Sequence, residues 1–496
     1  MPSTACSRGC CALVLALMTT TPAAVVAGGW PPDHGDHPAR PEAVAPPGGA
    51  SRPSAGGQAA TTSRDASGLD KAQLQALQVA PLPGSLKPQV SSQVEALLAS
   101  PDLKQALAAL KADEARFVRE SIQISEIPAP TFAEAQRAKA FEKMLKANGL
   151  QNVHIDAIGN VIGVRKGGAQ GPRIAVIAHL DTVFDAKTDV RVRAQGSRRM
   201  GPGLTDDSNA LAMMLSWIRA LNGARISTPG DLIFVASVGE EGNGDLRGAK
   251  HFFDKNTNLS AAIILEGALP DSVIMIQNTA SNRFKIDFKA PGGHSYGAFG
   301  QIPSAIHAQG RFIAKVAEMQ VPSSPRTTFT VGVVRGGRSV NTIAPDASLE
   351  IDLRSNGNSE LEATTKMVQN FVAQAVAEEN KRWGTTSLSA SIRPIGARPG
   401  GITSPDQAIV HTWIAAARAL GVTPLALAGG STDAGVPISR GIPAIVMGCG
   451  GTSGGFHALD EHWDPTNAYR GVRLSFLTTL AVAGVQGVSE PTATLR

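Results

Sequence analysis

A chain of 496 residues with 43% hydrophobic and 18% charged residues has an ordinary globular composition but exceeds what one compact core organises, so two domains are expected. The net charge of +5 is spread without a long Lys/Arg run, and aromatic residues make up only 4%, which excludes a nucleic-acid-binding footprint.

Met1–Ala27 contains Arg8, an apolar stretch Cys11–Leu17, a break at Thr19–Pro22 and the small-residue site Val25-Val26-Ala27. The stretch is too short for a membrane span, so it reads as a secretory signal, with the mature chain periplasmic or secreted and without stable membrane insertion. Cys6, Cys10 and Cys11 lie inside that signal, and Cys449 alone cannot form an internal disulfide. Residues 28–70, rich in Pro, Gly, Ala and Ser, lack a hydrophobic period and read as a disordered leader.

From about Ala72 to Leu150 helical spacing dominates, at Asp102–Leu110, Ala115–Glu126 and Phe132–Asn148, with Ser100 and Thr131 as helix starts. Strands and helices then alternate: strands at Asn160–Arg165, Ile174–Ala178, Leu232–Val238, Ala261–Leu265 and Ala444–Met447, and helices at Ala210–Leu221 and Ala249–Phe253. Continuous apolar strands between helices predict an α/β sheet covered on both faces, with ligands beyond the strands' carboxyl ends. Residues 283–393 read instead as β-α-β-β-α-β, a ferredoxin-like insertion forming a lid or dimerisation domain. The catalytic domain is accordingly expected in two pieces, 71–282 and 394–496.

The apolar strands finish in ligand-type residues. RIAVIAHLD ends in His179, with Asp181 placed to hold the imidazole; GPGLTDDSNA carries Asp206 into a helix; SVGEEGNGD follows a strand with Glu240 and Glu241; IILEGA ends in Glu266; and GCGGTSGGFHALDEHW carries His457. Each alone has a bland reading: a backbone-satisfied histidine, an N-capping aspartate, a solvated glutamate pair, a salt-bridged carboxylate. Together, in this order, they read as a two-metal hydrolase centre. Two adjacent glutamates suit a division of labour, one on metal and one facing the cleft as general acid/base.

These motifs, with GGHSYG and SVNTIAPD, resemble the dinuclear zinc aminoacylase and carboxypeptidase family over about Ala115 to Val485. The resemblance implies an aminopeptidase-like α/β catalytic domain with an inserted ferredoxin-like domain. It implies two zinc ions, at sites that also accept cobalt or manganese, with His179 and Glu266 on one, Glu241 and His457 on the other, and Asp206 bridging. Glu240 would be the general acid/base, Asp181 the residue orienting His179, and His294 a histidine contributed across a homodimer to the substrate carbonyl. Asn341 and Arg354 would bind substrate polar groups and Asp433 a substrate amine; Arg354 also reads as a strand-end surface charge. The implied activity is an exported exopeptidase cleaving short peptides with a zinc-activated water. The alternatives are an N-acyl-amino-acid deacylase on the same centre and, more distantly, a non-catalytic binding protein on this fold. One departure is that Asp207 is followed by Ser208-Asn209 where many relatives have Lys-Gly, which bears on subfamily more than on metal binding.

Overall fold

The computed structural model describes residues 78–168 and 170–495. The signal and leader expectations lie outside the described residues. Among the described residues no helix is long and apolar enough to cross a membrane.

The chain begins with β1 (Gln78–Ala80), then packs four helices: α1 (Pro88–Ala99), α2 (Pro101–Ala112), α3 (Glu114–Ser125) and α4 (Ala135–Ala147). Ser100 caps α2 by accepting from the Leu103 N–H at 3.5 Å, with Pro101 in the first turn, as its sequence predicts. Thr131 does not start α4. Its hydroxyl donates instead to the Asp181 carboxylate at 2.8 Å, and Phe132 takes a left-handed φ of 74°, so the helix starts later than its spacing suggests.

The main sheet follows with β2 (Gln151–Ile155), β3 (Val161–Arg165) and β4 (Ile174–His179). After a small hairpin, β5 (Arg193–Gln195) and β6 (Arg198–Met200), come α5 (Asn209–Gly223), β7 (Leu232–Ser237), α6 (Arg247–Lys255), β8 (Ala261–Leu265) and β9 (Val273–Asn278). A second sheet is built from β10 (Ala280–Lys289), α7 (Ala305–Ala317), β12 (Thr327–Gly336), β14 (Asp346–Ser355), α8 (Asn358–Arg382) and β15 (Ser389–Arg398), with the short ribbon β11 (Gly293–His294) and β13 (Thr342–Ile343) beside it. The chain then returns through β16 (Gly401–Ile402), α9 (Ala408–Ala419), β17 (Leu425–Ala428), α10 (Gly435–Ser439), β18 (Ala444–Met447), β19 (Thr452–Gly454), β20 (His462–Asp464) and α11 (Tyr469–Ala483).

The main sheet has the order β1-β17-β9-β18-β8-β4-β7-β3-β2, with β16 beside β9. Its centre, β18, β8, β4 and β7, is parallel, and each of these strands is buried along its whole length. That burial explains why these strands read as unbroken apolar runs. Separate apolar clusters pack the two faces, one including Val176, Phe234 and Ile263, the other Ala175, Ile233 and Ala262. Helix α5 is buried almost all round, which is why its apolar residues are not confined to one stripe.

The second sheet is antiparallel in the order β12-β14-β10-β15. Alternate residues of β14 (Ala347, Leu349, Ile351, Leu353) are buried, and Phe288 meets Phe312 of α7 with ring centroids 6.3 Å apart. Its element order is the β-α-β-β-α-β read from sequence, but β10 begins before residue 283 and β15 ends beyond 393. Arg283, at the expected boundary, and Arg398, in the β15 overhang, both reach the site. A third sheet, β19-β20-β6-β5, is absent from the sequence reading; it ties the segment after His457 to the segment before Asp206.

Trp217 of α5 anchors the core, buried edge-on to Phe476 at 5.9 Å with its indole N–H donating to the Val472 carbonyl at 3.1 Å. Trp217→Ala should cost about 3–5 kcal/mol, read as a lower urea midpoint.

Candidate metal centre

His179 closes β4 with its ring buried. Its Nδ1 lies 2.9 Å from the Asp181 carbonyl oxygen, which can only accept, so Nδ1 carries the proton and Nε2 is free to face Asp206 Oδ1 at 2.8 Å. The hydrogen bond expected between this ring and Asp181 falls on the main-chain oxygen, and the carboxylate stands 3.7 Å from Nδ1, at ion-pair distance. That carboxylate accepts the N–H groups of Glu240 (2.9 Å) and Glu241 (3.0 Å) and the Thr131 hydroxyl, so Asp181 shapes the turn carrying both glutamates while hydrogen-bonding His179 through its main chain.

The neighbouring Asp206 and Asp207 do different work. Asp207 is wholly buried and accepts from the His179 N–H at 3.1 Å and the Gly267 N–H at 2.9 Å, fastening the ends of β4 and β8 together. Asp206 faces the cavity, with Oδ1 toward His179 and Oδ2 3.0 Å from His457 Nε2. The loop presenting it is held by Glu461, whose carboxylate accepts from Gly203 N, Thr205 N and Thr205 Oγ1 at 2.8–2.9 Å. Gly203 has φ 71°, and a Cβ there would come 2.6 Å from the Thr182 methyl, so glycine is required.

Glu241 reaches His457 at 3.3 Å, and His457 itself sits at a left-handed φ of 61°, an uncommon backbone for a non-glycine residue. Donor atoms of His179, Asp206 and Glu266 all lie within 4.8 Å of one another, as do those of Asp206, Glu241 and His457. Glu240 joins His179 and Glu241 in a third such group, and it also faces Arg398 Nη1 at 3.4 Å.

The electrostatics show what this cluster lacks. Burial drives Glu266 well above the usual carboxylate range, and Asp206 and Asp207 push the same way. Glu241 is raised by burial and then by Asp206. Asp206 is also penalised by burial, but the two imidazoles hold it far below its ordinary value. Buried acids squeezed against one another need cations, and two mixed His/carboxylate sets sharing one bridging aspartate fit two divalent ions. Arg137 supplies a fixed positive charge behind the cluster: buried, lowered to about 10 by that burial, it donates to the carbonyls of Ser125, Ile127 and Leu180.

Asp206, Glu240, Glu241, Glu266 and His457 line a cavity of about 340 Å³, faced by Arg283, Arg354 and Arg398 from the second sheet. Arg354 is anchored by Nε to Asp352 at 2.8 Å, with its side chain 40% exposed. His294 and Asn341 do not line the cavity; they sit on the exposed β11–β13 ribbon, where His294 Nδ1 accepts from Tyr296 N and Asn341 Oδ1 from Ser339 Oγ. The expected contact of Asp433 to a substrate amine does not fit its placement, because it is 2% exposed, lies off the cavity and accepts from Ser237 Oγ. Sequence reasoning missed Asp207, Arg137, Arg283 and Arg398. Only Asp207 carried a signal, as a second carboxylate next to a ligand.

Two His/carboxylate triplets sharing an aspartate beyond the ends of parallel strands are the donor arrangement that suits a metal-dependent hydrolase. Residues 175–480 match the family described as Peptidase family M20/M25/M40, and the chain belongs to that family. It is similar to acetylornithine deacetylase of Myxococcus xanthus, 25% identical over 368 residues that cover 71% of this chain and 90% of that protein. Among solved structures, aminopeptidase PepT of Bacillus cereus shares the fold at TM-score 0.61 and 22% identity, over 74% of this chain and 99% of that one. YXEP of Bacillus subtilis, described as a dinuclear metal binding peptidase, does so at TM-score 0.55 and 19% identity, over 75% and 99%. The chain is thus a hydrolase of a metal-dependent peptidase and amidohydrolase family.

Without metal, this site should make stability fall as pH rises. Burial raises Glu461 to about 7 and Asp433 to about 6, while Asp206 and Glu241 raise His457 to about 10. Each group keeps its proton longer folded than unfolded, so each contributes stability at low pH that disappears as pH climbs through its folded value. The chelated protein should lose up to about 1.4 kcal/mol per pH unit while buried Glu461 titrates, and less through half-exposed, solvent-screened His457. Urea midpoints from about pH 5 to about pH 9, with chelator and with Zn2+, check this; a flat chelator profile contradicts it, and metal should suppress the part above neutrality.

Proposed function

We propose that the chain is a zinc-dependent exopeptidase acting on short peptides that present a free C-terminal carboxylate. The observation carrying this reading is that the Glu240–Glu241–Asp206 cluster and Arg354 line one small cavity. Arginine suits a carboxylate through its planar fork, and a cavity of about 340 Å³ suits a substrate of a few residues. His179 and Glu266 would hold one ion, Glu241 and His457 the other, with Asp206 between them. Two bound divalent ions would supply Lewis-acid chemistry, activating a water and polarising the scissile carbonyl. Glu240 takes the water's proton on its carboxylate and returns it to the departing amide nitrogen. Burial holds its proton affinity well above the ordinary carboxylate range, with Arg398 and His179 only partly opposing it, which favours uptake of the water's proton.

His294 and Asn341 act in this reading from a second copy of the chain: they lie together on a ribbon flanked by exposed Tyr296 and Val340, away from their own cavity. The Met1–Ala27 stretch supports export to the periplasm or beyond. The competing reading, an N-acyl-amino-acid deacylase, is favoured by the acetylornithine deacetylase similarity along most of the chain. It keeps every residue role above except the peptide nature of the acyl half.

Digestion of di- and tripeptides in free, N-acetylated and C-amidated forms, followed by mass spectrometry, separates these. C-amidation should abolish cleavage; loss on N-acetylation instead would make the enzyme an aminopeptidase, and cleavage of N-acetyl amino acids alone would make it a deacylase. Glu240→Gln should lower kcat by about 10²–10⁴-fold with bound zinc unchanged, whereas Asp206→Asn should lose zinc and activity together. Arg354→Met should lower kcat/KM by about 10–100-fold for free-carboxylate substrates, the scale of one charged hydrogen bond.

A further inference from the structure

The turn that carries Glu240 and Glu241 is gripped from outside its own sheet. β10 and β15 are the strands by which the second sheet leaves and rejoins the main fold, and each sends an arginine to this turn. Arg398, the last residue of β15, is 5% exposed. Its Nη2 donates to the Glu240 carbonyl, and to that of Gly242 at 3.2 Å. Its Nη1 faces the Glu240 carboxylate at 3.4 Å and donates to Ser431 O and Oγ, both at 3.3 Å. Arg283 of β10 donates to the Gly242 carbonyl as well, with Asp352 3.5 Å from its Nε. Ala397 adds a main-chain contact, its N–H donating to Asp245 at 2.8 Å.

A guanidinium so placed has two separable uses. It lines the cavity, so it could meet a substrate anion, but its Nη groups already have five protein oxygens, the Glu240 carbonyl among them. Arg354, with no such load, is the better substrate anchor. We propose that Arg398 is the positioning residue for Glu240, fixing both the main chain and the carboxylate of the general acid/base and so making its aim depend on how the second sheet is seated. This rests on the reading of Glu240 as that acid/base. A lysine could restore the charge but not the fork that grips carbonyl and carboxylate at once.

The test uses the full zinc-loaded chain and whichever dipeptide or N-acetyl amino acid of the panel it cleaves fastest, with Arg398→Met, Arg398→Lys, Glu240→Gln and the double variant Glu240→Gln/Arg398→Met. Bound zinc and melting temperature are measured beside kcat and KM. Arg398→Met should lower kcat by about 10–100-fold, the range expected for a misaimed catalytic group, with KM within about threefold and two zinc ions retained. Arg398→Lys should recover part of kcat, and the double variant should be no slower than Glu240→Gln alone, because a residue acting through Glu240 has nothing left to act on.

A rise in KM at unchanged kcat would make Arg398 a substrate contact and overturn the proposal. So would zinc loss in step with activity, or a double variant slower than Glu240→Gln by the full Arg398→Met factor. If Arg398→Met does not fold, Arg398→Lys decides: normal kcat overturns the proposal, and reduced kcat with normal KM and zinc supports it. An active Glu240→Gln enzyme would remove the acid/base reading itself, and the proposal with it, whereas an inactive one beside a fully active Arg398→Met would remove the proposal alone.

Discussion

Buried negative charge is the constraint on which this structure depends. Asp181, Asp206, Asp207, Glu240, Glu241, Glu266, Asp433 and Glu461 converge beyond the ends of four parallel strands, against two imidazoles and a few guanidinium groups. Such an assembly repels itself unless each carboxylate has a partner. The chain meets this in two ways. Asp181, Asp207 and Glu461 each accept main-chain N–H groups, whereas Asp206, Glu241 and Glu266 turn toward a common space that suits divalent cations.

The three acids that accept N–H groups also explain how loops can be accurate. Ligands on loops need their main chains fixed, and here the fixing is done across the sheet: Asp181, just past β4, holds the turn after β7, Asp207 joins the ends of β4 and β8, and Glu461 holds the Asp206 loop. Removing any of them would leave the ligand side chains in place in the sequence but misdirected in space. Arg137 serves the same end with opposite charge, drawing three carbonyls of the α3–α4 and β4 segments together beneath Asp181, Asp207 and Glu461.

The second sheet is more than an attachment. Its own core is separate from those of the main sheet, yet through Arg283, Arg354 and Arg398 it supplies the arginines that line the cavity. One domain contributes the acids and the other the guanidinium groups, so the chemistry of the site exists only where the two meet.

By itself the sequence determined the central parallel strands, the inserted β-α-β-β-α-β unit and the acidic and imidazole residues that line the cavity. Fully buried parallel strands must be unbroken apolar runs, and a charged residue at the end of such a run stands out against it, as His179 and Glu266 do. Tertiary structure decided which carboxylate does what. Nothing local separates Asp206 from Asp207, or assigns the Asp181 carboxylate to the glutamate turn, because those roles depend on N–H groups far away in the chain. It also decided Arg137 and Arg398: an arginine in a helix or at a strand end reads as a surface charge until the fold buries it among carbonyls from other segments.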